Sequence, residues 1–82
     1  MRTFESLMRR AVTLQRVEPD PVRSEWWSGY MQGLRRTHHG KRFGSAAEHD
    51  LWLSAADSID PMRAARGRGY QSGLTLESRE PD

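Results

Sequence analysis

The chain has no cysteine, so neither a disulfide framework nor a thiolate site is open to it. Lys41 is its single lysine, against twelve arginines. No stretch approaches the roughly 18 apolar residues of a membrane span, and no apolar signal segment follows Met1. That predicts a soluble, cytoplasmic protein with no membrane partner. Strand-like alternation of apolar and polar residues is missing, which leaves helix as the regular structure. Catalytic signatures are missing too: there is no nucleophile elbow, no phosphate-cradling glycine loop and no HExxH or His-x3-His pair. His38 and His39 are neighbours whose side chains diverge, as do those of Glu48, His49 and Asp50, so no metal site is expected. The sequence predicts no catalytic residue, no metal and no cofactor, and therefore a binding protein rather than an enzyme.

What is present is a duplication. Residues 20–34 read D-P-V-R-S-E-W-W-S-G-Y-M-Q-G-L and residues 60–74 read D-P-M-R-A-A-R-G-R-G-Y-Q-S-G-L, with seven of fifteen positions identical at an offset of 40. A repeat of that period marks one supersecondary unit copied once. Eighty-two residues make one small domain, and a chain of that size buries only about 60–65% of its unfolded surface, so its core is thin.

Helical spacing predicts four helices. The first spans 4–17, capped by Thr3, with Phe4, Leu7, Met8, Ala11 and Leu14 on one stripe. The second spans 21–38, with Asp20 as cap, Pro21 at the first helical position and Gly40 as the stop. Ser45 and Glu48 form a capping-box pattern for a third helix over 46–58, whose apolar positions are Ala47, Leu51, Trp52, Ala55 and Ile59. Asp60 and Pro61 open the fourth, which runs to about 73. The expected fold is all-α: a small four-helix domain over 1–74, built of two duplicated helical hairpins, about 3–40 and 43–74. Residues 75–82 read as a flexible C-terminal tail.

Gly29 and Gly33 in one copy, and Gly69 and Gly73 in the other, form small-residue strips where two helices can approach closely. They predict that the second and fourth helices cross there about a pseudo-twofold axis. Arg23 and Arg63 fall within the apolar arcs, which predicts burial against a paired acid such as Asp20 or Asp60. Trp26 and Trp27 become Arg66 and Gly67 in the second copy. One copy does without aromatics there, so Trp26 is assigned to the core and Trp27 to the rim, as a partner or self-association contact that would make a homodimer.

The basic residues are clustered. Arg35, Arg36, His38, His39, Lys41 and Arg42 lie at the end of the second helix and in the following loop, where positive charge complements the helix dipole or meets an anionic partner. Phe43 beside them can stack on a base or plug the hairpin. Arg63, Arg66 and Arg68 make a second cluster. Without the tail the charge rises from +2 to +4, because 75–82 carries one arginine and three acids. With Trp27, the candidate partner-binding residues are Arg35, Arg36, His38, His39, Lys41, Arg42, Arg66 and Arg68.

The string G-Y-M-Q-G-L-R-R-T-H-H-G-K-R-F-G-S-A-A-E-H-D-L-W-L, followed by R-G-R-G-Y-Q-S-G-L, resembles small accessory proteins of phages and prophages in GC-rich bacteria, over most of residues 26–74. Anti-CRISPR proteins are prominent among such chains. They share no motif, so no residue role is carried over. The resemblance implies a mode of action: stoichiometric binding that inhibits a bacterial nucleic-acid-handling protein or ribonucleoprotein complex. The alternatives are a regulator that binds DNA or RNA directly, and a phage structural or assembly factor using the Trp pair.

Overall fold

The computed structural model describes residues 3–40 and 44–75. They form α1 (Phe4–Val17), α2 (Pro21–His39), α3 (Ala46–Ser54), a 3₁₀ turn (Ala55–Asp57) and α4 (Pro61–Leu74), with no strand among the described residues. The fold is the all-α, four-helix one expected. Adding 40 to the bounds of α1 gives 44–57, close to the 46–57 spanned by α3 and its turn, so the duplication covers whole hairpins. The junctions repeat as well. Asp20 and Asp60 each accept from the amide two residues on, and their own amides donate to Glu18 and Ser58, again related by 40. Both helices therefore start with a satisfied cap and a proline at a position that needs no N–H.

The hairpins meet where α2 crosses α4, and glycine makes the meeting possible. A Cβ on Gly29 would lie 1.8 Å from the carbonyl oxygen of Arg66, and one on Gly69 would lie 1.9 Å from that of Trp26. Gly33 stands in the same way 2.2 Å from the Tyr70 carbonyl, and Gly73 2.2 Å from that of Tyr30. Each contact maps onto another when 40 is added on one side and subtracted on the other, which is the pseudo-twofold axis. Around the crossing lies one cluster: Trp26, Trp27, Tyr30, Met31 and Leu34 of α2, Leu7 and Ala11 of α1, and Ala65 of α4. The Gln15 amide adds a polar tie between α1 and α2, donating to the Ser24 carbonyl at 2.8 Å and the Ser28 hydroxyl at 2.7 Å.

Several expectations need correction. Trp27 is not at the rim: it is 3% exposed, more deeply buried than Trp26 at 8%. Its ring meets Trp26 and Tyr30 edge-on, 4.9 and 5.5 Å between centroids, so the two indoles fill one volume jointly. Arg23 and Arg63 are exposed, and the aspartates expected to pair with them serve as amide caps. The third helix ends at Ser54 rather than 58, and the second continues to His39. Ala47, Leu51 and Ile59 are exposed rather than core. The cause lies at Gly67, where Trp27 has no counterpart. A Cβ there would sit 2.1 Å from the Ala56 amide nitrogen, so the 3₁₀ turn lies on the α4 backbone itself. α3 then faces α4 through His49 and Trp52, both against Tyr70, and turns Leu51 outward. The tail 76–82, together with Lys41, Arg42 and Phe43, lies outside the described residues.

Candidate binding surface

The run Arg35–His39 is one cluster in sequence and three places in space, because successive helical residues turn by about 100°. His38 and His39 reach back to α1. The His38 ring stacks on Phe4 at 4.0 Å, and His39 meets the same ring edge-on at 5.8 Å. They tie the end of α2 to the start of α1 while remaining exposed. Arg36 lies beside Tyr70 at a cavity of about 20 Å³, room for a single water. Arg35 points to a different groove, held by a 2.9 Å hydrogen bond from its guanidinium to the Gln32 side-chain oxygen.

That groove is where the two basic clusters converge. It occupies about 400 Å³ and is lined by Arg35 from the first copy, Arg66 from the second, and Trp52 from α3. The Arg66 Nε donates to Glu25 at 2.8 Å, and its guanidinium lies 5.6 Å from the centre of the Trp52 ring. Trp52 in turn stacks on Tyr70, centroids 5.6 Å apart. Arg66 is thus aimed by an acid and a ring face, which lowers the entropy it loses when a ligand engages it. Arg68, two positions on, is exposed and does not line this groove.

A second groove, of about 480 Å³, lies on the other side of Trp52 and Arg66. Leu51, Ala55, Asp57 and Arg63 line it. α3 buries no residue completely although Leu51, Trp52 and Leu53 are consecutive in it. Trp52, placed among the core positions on sequence grounds, is half-buried and central to both grooves. The sequence carried one pointer to it: Gly67 stands where the first copy has Trp27, so the second hairpin cannot pack as the first does.

Below Trp52, the Tyr70 phenol and His49 Nδ1 share a 2.6 Å hydrogen bond. Burial pushes the phenol above its ordinary value, an effect the Arg36 charge partly offsets. A proton held more tightly in the folded state means stability that is complete below about pH 10 and lost as pH rises through the folded pKa. Tyr70→Phe should remove that alkaline loss. It should also cost about 1 kcal/mol at neutral pH, because His49 loses its partner. Urea titrations at pH 7 and pH 11 measure both effects.

No set of three or more metal-ligating side chains converges among the described residues, and no helix there is long and apolar enough to cross a membrane. Comparison with protein-family models, with curated proteins and with solved structures finds no match to this chain. What the fold and the surface define is a class: a small all-α domain of two duplicated hairpins, crossed at glycines, with an arginine-flanked aromatic groove. The Trp pair, being buried, offers no contact for an assembly factor.

Proposed function

We propose that this chain is a binding protein that acts by stoichiometric occupation of a surface on a bacterial nucleic-acid-handling complex, as phage-encoded anti-CRISPR inhibitors do. The contact is made through the groove between Arg35 and Arg66. One observation carries the reading: the arginines of the two copies, remote in sequence, converge on a half-buried tryptophan. An aromatic floor between fixed guanidinium groups suits an anionic protein surface, where Trp and Arg act as anchors. The phage and inhibitor part of the reading rests on the resemblance of residues 26–74.

The test has two arms. Naked duplex DNA and RNA should bind weakly in gel-shift titrations at physiological salt, while the tagged protein retains a host complex that survives nuclease treatment. Arg35→Glu reverses one charge in the groove lining without touching the core; helical circular dichroism should persist while retention falls by at least tenfold. Tight binding to naked nucleic acid that falls steeply with salt would replace this reading by direct nucleic-acid regulation.

A further inference from the structure

We infer that the outward face of α3 is a self-association surface, and that its occupant is a second copy of this chain. Hairpin symmetry identifies the face. Ala11 in α1 is completely buried, whereas its counterpart Leu51 in α3 is 67% exposed. Ile59, two residues past the 3₁₀ turn, is fully exposed. The groove of about 480 Å³ has Leu51, Trp52 and Ala55 in its walls. Leu51 therefore stands exposed at the wall of an apolar recess, so one face offers both a side chain to insert and a place to receive it, as a twofold contact needs.

Charge selects the occupant. Arg66 already has a carboxylate partner, Glu25, at its Nε. That leaves Asp57 and Arg63 in the groove lining, neither with an ion pair among the described residues. A strongly acidic or basic partner would satisfy one and repel the other. A second copy related by a twofold axis presents arginine to aspartate twice. The α3 segment with its turn is about 18 Å long, so the patch falls well below the roughly 800 Å² per partner of a standard interface. The dimer is accordingly weak, with Kd on the order of 10–100 µM. It leaves Arg35 uncovered and sets two such arginines on one particle. Trp52 and Arg66 line both grooves, so a second copy and a partner in the Arg35 groove compete for them; sedimentation of the isolated chain tests self-association apart from the proposed function.

Sedimentation equilibrium of the full chain from about 5 µM to 1 mM tests it. Mass should rise with concentration from 9.5 kDa toward twice that value. Leu51→Ser with Ile59→Ser alters exposed side chains only, so circular dichroism should be unchanged while Kd rises on the order of a hundredfold. Asp57→Arg alone and Arg63→Asp alone should each weaken the dimer, and an equimolar mixture of the two variants should restore it, because each chain then supplies the charges the other needs. A chain that stays monomeric at 1 mM, or a dimer indifferent to the Leu51/Ile59 change, overturns the inference. So does a mixture that fails to restore association. Dimers that emerge only after residues 76–82 are removed would assign the face to the chain's own tail and overturn it as well.

Discussion

Gly29→Ala should lower the melting temperature by at least about 10 °C, and Gly29→Ala combined with Gly69→Ala should leave no cooperative unfolding transition. The sign is the informative part. In an exposed helix the same change stabilises by about 1 kcal/mol, since alanine is the best helix former and glycine one of the poorest. Here the new methyl group would lie 1.8 Å from a backbone carbonyl oxygen, which no rotamer change can relieve. α2 and α4 must move apart, and the cluster of Trp26, Tyr30 and Leu34 opens with them. Overfilling a close contact costs typically about 1–3 kcal/mol, and rather more where backbone must yield. A domain of this length has about 4–12 kcal/mol in total, so two such changes across one crossing exhaust it. Gly40→Ala is the contrast: no described residue lies within 4 Å of its Cβ position, and its positive φ of 69° opposes the change at about 1–3 kcal/mol. A Gly29→Ala protein that melts higher than the parent would mean that the helices do not meet there.

Trp27→Ala should cost about 3–5 kcal/mol, as much as Trp26→Ala, because both indoles are buried and each is part of the other's wall. Thermal melts of the two single variants should nearly superpose. The double variant should lose less than the sum, since the first truncation already removes the edge contact that the second would break. A Trp27 variant as stable as the parent would return this residue to the surface.

The repeat made most of the fold legible before any coordinates. Asp-Pro placed two helix starts, the paired glycines placed the crossing, and Thr3, Asp20, Ser45 and Asp60 all cap as their types suggest. What failed did so for one physical reason: the two copies are not equivalent at Trp27 and Gly67. Aligned by offset, the second copy lacks an aromatic, and dispensability suggested an exposed Trp27. In space, each position is complementary to its own partner. Trp27 fills the volume between α1 and α2, while Gly67 admits the backbone of the 3₁₀ turn. A helical wheel holds no information about what lies opposite, so it also set Arg23 and Arg63 in apolar arcs that proved to be solvent-facing.

The candidate surface was legible only in its ingredients. Arg35 and Arg66 each stood in a basic cluster, but their convergence on Trp52 depends on the α2–α4 crossing and on the turned face of α3. His38 and His39 stood in the same run as Arg35 and serve instead to hold Phe4. Clustering along a helix over-counts a site, because residues one and two apart look in different directions.

The proposed engagement of a protein surface by the groove between Arg35 and Arg66 can be read directly by crosslinking. A photo-crosslinking amino acid at Gln32, which lines that groove, tests it in host cells. Irradiation should join the chain to one protein subunit of such a complex, in an adduct that survives nuclease and disappears with Arg35→Glu. Adducts to nucleic acid alone, or none above the level given by the same probe at exposed Val12 on α1, would contradict the account.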